Sequence, residues 1–442
     1  MGYLCRREDR GNYGGAVGRL MLGALLLAGS YAFVFGFQQT YANPGLPGRI
    51  VDAASGLPVE DALIYFNGGD ILAVSGGGFV VPEGAAGSDL TIKAPGYRKT
   101  YVPEISESTL EIPLEPFKVK GIYIPFGLLA LPERVKTLLD LVDQTELNSI
   151  VVDVKSDRGI ISYDSEVPLA STIGAYRQGY LSPEELLQWC AEKGIYTVAR
   201  MVVFKDDPLA RGKPELAVVD GAGQLWLDRE QLGWANPFRE EVWDYNIALA
   251  KEVAEMGFDE IQFDYIRFPS DGDVRAIVYQ EENTLETRTA AIRGFAAKLQ
   301  QEVRPYAVFT SADVFGLTVW VKEGSDMGIG QRVEDISPYV DYLCPMVYPS
   351  TFESGNLGYV NPTLHPYGVV YRSTIEALKR SDARVRPWLQ HYSLKGIQYD
   401  HSRLFAQRVA ADEATILGAQ GWVYWNAGGK YDVNLFLPEV PN

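Results

Sequence analysis

The chain has little that could staple a fold or hold a metal. Its 442 residues include only three cysteines and three histidines. Cys5, Cys190 and Cys344 lie far apart, which offers neither a disulfide framework nor the short Cys/His spacing of a zinc site. His365, His391 and His401 are too few for a His-based centre, so a metal-dependent deacetylase is disfavoured and neither metal nor cofactor is expected. Positive charge is short as well: 40 Lys and Arg stand against 57 Asp and Glu, a formal net charge of −17. Phosphate backbones are bound by basic patches, so nucleic acid is not an expected partner. Broad adhesion to anionic lipid is disfavoured on the same ground, while a neutral or cationic glycan is compatible. No glycine-rich dinucleotide fingerprint is visible.

What is present is ordinary for a globular protein, with 47% hydrophobic and 22% charged residues. Aromatics reach 12%, including 8 Trp and 26 Tyr, which serves either a large core or the flat platforms on which sugars stack. At the amino end, Arg6, Arg7, Arg10 and Arg19 precede an uncharged apolar run from Leu20 to Phe37. That length suits an export segment, either cleaved after Ala42 or kept as a membrane anchor. The positive flank stays in the cytoplasm, so the remainder is expected outside it, secreted or anchored. Leu26 to Ser30 is similar to a lipobox but has Ser30 in place of the lipidated cysteine, so lipidation is not expected.

Residues 1–45 therefore read as signal peptide or anchor, and two folded units follow. From 46 to 116, strand-sized runs are broken by turns: Gly48–Asp52, Ala62–Phe66, Phe79–Val81 and Leu90–Lys93. This spacing predicts a small β-sandwich. From 118 to 438, β-rich apolar runs alternate with amphipathic stretches, the mark of a parallel sheet with helical crossovers. Eight strands are expected, at 121–125, 149–155, 196–204, 260–268, 308–315, 340–348, 385–391 and 421–426. Ser182-Pro183 is a fitting helix start, and Gly194 and Gly257 stand where helices should stop. The count fits a (β/α)8 barrel, with a doubly wound sheet as runner-up.

Active groups in such barrels sit at the carboxyl ends of the strands, and those ends are polar here. Charge inside a strand is costly unless paired or functional. Asp264 is the sharpest case; alternation places it with Gln262 on the inward face and Phe263 and Tyr265 on the other. Asp313 ends the next strand. Glycosidic hydrolysis usually needs two carboxyl groups, so Asp264 is the expected nucleophile or base and Asp313 the acid, with Asp153 as reserve partner. The hydrolytic reading requires both acids to be free of salt-bridge partners and open to one groove. The competing reading is structural: Asp264 paired with Arg200 or Arg267, Asp153 with Lys155 or Arg200, Asp313 capping a loop. Arg200, Gln262, Arg267, Tyr348, Gln390, His391, Trp425 and Asn426 are the candidate substrate contacts, with Trp226 and Trp234 as further stacking candidates. Lys205-Asp206-Asp207 reads as a solvated loop.

Two resemblances add to this. Gly48-x-Ile50-Val51-Asp52, Gly56-x-Pro58-Val59 and Ala94-Pro95-Gly96-Tyr97 resemble the carboxypeptidase regulatory-like, transthyretin-like domain, which implies a folding or spacing module without catalysis. The segments 146–155, 194–206, 257–269 and Pro345 to Ser350 together resemble a (β/α)8-barrel glycoside hydrolase family long catalogued as a domain of unknown function. That resemblance spans Lys118 to Leu437 and implies the barrel and a poly- or oligosaccharide substrate. The segment from Asp259 to Ile266 is also similar to the chitinase signature. Gln262 and Ile266 stand where its middle Asp and catalytic Glu belong, which speaks against substrate-assisted chitinase chemistry. Two functions follow as expectations: a glycosidase acting on an extracellular or cell-wall polysaccharide, and a non-catalytic glycan-binding or envelope-scaffold protein.

Overall fold

A computed structural model describes residues 46–66, 71–81, 87–104, 111–322 and 324–438. The expected export segment lies outside the described residues. Among those described, no helix is long and apolar enough to cross a membrane.

The first seven strands form two small sheets. Leu46–Asp52 is flanked by Gly78–Val81 and Glu111–Leu114, and Leu63–Phe66 pairs with Ile71–Ala73 and Leu90–Lys93, the latter also with Thr100–Val102. Ile50, Ile64, Phe79, Ile92 and Leu114 from both sheets share one apolar cluster, as strands with one buried face require. This unit is tied to the next by a buried ion pair, Lys93 Nζ to Asp341 at 2.7 Å, and by the Gly96 N–H donating to the Tyr342 hydroxyl at 2.9 Å.

Eight parallel strand positions then close on themselves. We label them β1 (Val119–Ile124), β2 (Ser149–Lys155), β3 (Tyr196–Val202), β4 (Glu260–Asp264), β5 (Phe309–Phe315), β6 (Tyr342–Met346), β7 (Arg384–Val385 continued by Trp388–Gln390) and β8 (Gly421–Trp425). Each pairs with its successor and β8 pairs with β1, so no edge is left open. The ring answers the choice between barrel and doubly wound sheet: this is a (β/α)8 barrel. Inward residues such as Val151, Val198, Cys344, Trp388 and Val423 make an inner cluster. The opposite strand faces pack under the helices in a second, larger one.

Local chemistry sets the boundaries. The Ser182 hydroxyl accepts from Glu185 N at 3.2 Å, and Pro183 opens the helix Pro183–Glu192. The helix Glu240–Met256 stops at Gly257 with φ 100°, a left-handed turn that favours glycine. At the seam of the barrel, Gly421 has φ 81°, and a Cβ there would lie 1.7 Å from the Val119 carbonyl oxygen. Backbones of β8 and β1 approach too closely for any side chain.

Candidate active site

Arg200, near the end of β3, organises the barrel mouth. Its Nη1 donates to Asp153 Oδ1 at 2.6 Å, and its Nη2 and Nε to Asp264 Oδ2 at 2.5 and 3.2 Å. Nε also lies 3.9 Å from Asp313 Oδ2. Three strand ends thus deliver three carboxyl groups to one guanidinium, whose planar fork suits such sharing. Register explains the convergence: Arg200 lies opposite Asp153 on β2 and opposite Gln262 on β4, while Asp313 ends the inward row of β5. Burial opposes the Arg200 charge, but Asp153 and Asp264 outweigh it and hold its pKa well above the ordinary value.

The three acids differ in surroundings. Asp153 accepts the Tyr123 hydroxyl at 2.6 Å; burial raises its pKa, against the pull of Arg200. Asp264 accepts from the Tyr265 N–H at 2.6 Å. Asp313 accepts from the Trp388 indole at 2.7 Å. Burial first, and the negative charge of Asp264 second, push Asp313 well above the carboxylate range, with Arg200 only partly offsetting them. A rise in this direction is the one a general acid needs.

A cavity of about 440 Å³ opens over Arg200, Asp264 and Asp313, with Arg267, Tyr348 and Trp425 in its walls. Trp425 stacks on Tyr123 with ring centroids 3.9 Å apart and lies against the Arg200 guanidinium at 4.9 Å. Of the expected contacts, Arg200, Arg267, Tyr348 and Trp425 line this cavity, and both first-choice acids do.

The other expectations need correction. Neither first-choice acid is free of salt-bridge partners: Arg200 meets Asp264 under packed side chains, the Asp264 side chain being only 6% exposed, and its Nε is within salt-bridge reach of Asp313 at 3.9 Å. Asp153 does not line the cavity, being held beneath it by Arg200 and Tyr123. It does not meet Lys155 either: a bulge shifts the register between Arg200 and Met201, turning Lys155 outward to Asp206 at 2.7 Å and Asn246 at 2.8 Å. Gln262 faces inward as expected but is completely buried, and neither amide atom has a partner among the described residues. Gln390 bonds the Ser350 backbone and hydroxyl and the Tyr392 carbonyl, so it braces a loop. His391 accepts from Asp432 N, and Asn426 donates to the carbonyls of His391 and Lys430; both knit the turn after β8 and stay out of the cavity. Trp226 and Trp234 are core residues, their indoles bonded to the Asp273 carbonyl and to Asp228. Lys205-Asp206-Asp207 is no solvated loop. Lys205 bridges Asp228 at 3.1 Å and Glu230 at 2.6 Å, and the fully buried Asp206 also caps the next helix.

Some site residues escape sequence reasoning. Tyr265 lines the cavity, although alternation puts it on the outer face. The strand ends at Asp264 and Tyr265 takes φ 54°, a strained conformation for a tyrosine. Trp388 belongs to β7, and no local motif marks it as the donor to Asp313. Deeper in the barrel, Glu260 is paired with Arg386 and bonded by Tyr196 at 3.1 Å and by Ser311. An inward Glu at the start of an apolar strand was the available signal.

Comparison with known proteins finds the following similarities. A solved hypothetical protein from Ruminiclostridium thermocellum is 36% identical over 44% of this chain and 97% of its own, with a TM-score of 0.39. The PgaB (BpsB) glycoside hydrolase domain from Bordetella bronchiseptica is 14% identical over 70% of this chain and 94% of its own, with a TM-score of 0.51, a likeness of fold. An α-galactosidase from Thermus thermophilus is 13% identical over 81% of this chain and 72% of its own, with a TM-score of 0.44. No curated protein matches the sequence. The chain belongs to the family described as "Putative glycosyl hydrolase domain", which its residues 121–431 match.

Proposed function

We propose that this protein hydrolyses glycosidic bonds of an extracytoplasmic or cell-wall polysaccharide, with Asp313 as general acid and Asp264 as the carboxylate facing the developing positive charge on the sugar. The observation that carries this is the unlike pair: two carboxyl groups line one aromatic-walled cavity, one bonded by the Trp388 indole and the other gripped by the Arg200 guanidinium. Both lie within 4 Å of Arg200 Nε, so their nearest oxygens are at most about 7 Å apart, an upper bound that admits the spacing of about 5–5.5 Å found in retaining enzymes. The freedom from salt-bridge partners expected of both acids is not met, so the proposal rests on their shared cavity instead: Arg200 holds Asp264 in place there, and Trp425 and Tyr348 offer faces for a sugar ring. Export through the amino-terminal segment and a spacer role for the small two-sheet unit belong to the same proposal.

A second reading has its own support. Asp264 and Asp153 are both met by Arg200 far from bulk water, which is what a structural ion cluster looks like, and a non-catalytic glycan-binding or scaffold protein would keep the cavity without turnover. The two readings part at Asp264→Asn, with sugar release from cell-wall and exopolysaccharide fractions followed by mass spectrometry. Hydrolysis requires release by the native protein and a loss of roughly 10²-fold or more in the variant. Turnover unchanged by the substitution refutes the assignment, and binding without any product supports the scaffold.

A further inference from the structure

Seven Lys and Arg side chains are buried among the described residues: Lys93, Lys155, Arg200, Lys205, Arg267, Arg386 and Arg408. Six have a carboxylate within salt-bridge distance: Asp341, Asp206, Asp153 with Asp264, Asp228, Glu260 and Glu146 in turn. Arg267 has none among the described residues, although it is 6% exposed. A buried charge without a counter-ion is expensive, and the exception lines the cavity, where the other cation of the lining, Arg200, is paired.

Its surroundings hold the guanidinium without neutralising it. The Cζ atom lies 4.5 Å from the Phe315 ring centre, 4.6 Å from Tyr265 and 5.0 Å from Trp234. Nη1 donates to the Phe268 carbonyl at 3.1 Å and to the Ser270 hydroxyl at 3.0 Å. No acceptor among the described residues meets Nε or Nη2, neither atom is fully buried, and Arg267 is part of the cavity lining. Burial lowers the Arg267 pKa, against the more distant charges of Tyr265, Asp264, Asp271 and Asp228, whereas the paired Arg200 and Arg386 are raised. The group is a rigid cation with part of its fork unused.

We infer that the cavity takes a glycan whose bound sugar carries a carboxylate, received by Arg267. This rests on the cavity being the glycan site, but not on catalysis. A guanidinium fork matches the two oxygens of a carboxylate, and that ligand would supply the counter-charge the fold omits. The overall charge of −17 favours neutral or cationic sugars at long range, where charge is screened. Within the cavity Asp264 and Asp313 also line the wall, but Asp264 is already met by Arg200, which leaves Arg267 as the cation without a partner among the described residues to receive an acidic group.

The test uses the full chain and two matched pairs, trigalacturonate against its methyl ester and N-acetylmuramic acid against N-acetylglucosamine, titrated by calorimetry. The pairs separate a ring carboxylate from a lactyl one. The acidic member of at least one pair should bind roughly tenfold or more tightly, as expected for a charged hydrogen bond. Arg267→Gln should erase that preference, read as the ratio of acidic to neutral affinity within each variant, while Arg267→Lys, which keeps the charge but loses the fork, should retain part of it. Binding of the acids no tighter than the neutral partners, including no binding at all, overturns the inference. So does a preference that persists in Arg267→Gln; if that variant does not fold, a full preference in Arg267→Lys counts against the fork. Because the readout is binding, acid-selective capture without turnover would sink only the hydrolase proposal, and turnover confined to neutral glycans would sink only this one.

Discussion

Replacing Arg200 by methionine removes the one cation shared by Asp153 and Asp264, whose side chains are 4% and 6% exposed. Each keeps a single neutral donor, the Tyr123 hydroxyl and the Tyr265 N–H. Breaking a buried ion pair by deleting one partner costs about 3–5 kcal/mol, because the remaining charge is left desolvated. At about 2 cal/mol/K per residue, a unit of more than 300 residues has an unfolding entropy near 0.7 kcal/mol/K, so the midpoint should fall by roughly 4–7 °C. The loss should be largest near pH 8. Burial already raises Asp153 against the pull of Arg200; without the guanidinium that rise is unopposed, so Asp153 takes up a proton as pH falls and the penalty fades. Scanning calorimetry of native and variant chains at pH 5 and pH 8 measures this. A loss under about 1 kcal/mol at pH 8, or one independent of pH, would mean that water reaches these carboxylates and that Arg200 is no electrostatic hub.

Other expectations follow from the same structure. Asp313→Asn should abolish sugar release yet raise stability at neutral pH by about 1–2 kcal/mol. The folded-state pKa of Asp313 lies above its unfolded value, so the native form binds the proton more tightly, and its contribution is present below the ordinary Asp range and lost as pH rises through the raised value. Urea midpoints across pH 4 to 8 should show a slope that the variant lacks. Arg386→Met strands Glu260 in the barrel and should cost about 3–5 kcal/mol, most of it recovered in the double variant with Glu260→Gln; equal losses in the two would argue against a direct pair. Gly421→Ala forces a side chain against the Val119 carbonyl at a positive φ and should cost at least about 2–4 kcal/mol. A soluble variant with an unchanged midpoint would show that the β8–β1 seam is looser than described.

The legible parts were those governed by local period. Eight strand runs, Ser182-Pro183 and Gly257 each state a local preference that the barrel satisfies, and alternation along β4 correctly turns Gln262 and Asp264 inward. Where period breaks, the reading failed. Tyr265 leaves the alternation at a left-handed residue, and the bulge opposite Met201 sends Lys155 outward. Lys205 and Asp206 look like loop charges until Asp228 and Lys155 arrive from elsewhere in the chain.

By itself the sequence determined the barrel class and the ring of polar strand ends, among which it offered Asp264 and Asp313 as candidates, because strand period and strand termini are written in consecutive residues. Only the tertiary structure decided that Arg200 shares its charge among three carboxyl groups while Arg267 keeps its own. Which cation meets which acid depends on distances between side chains from different strands, and a one-residue shift in register is enough to change the partner.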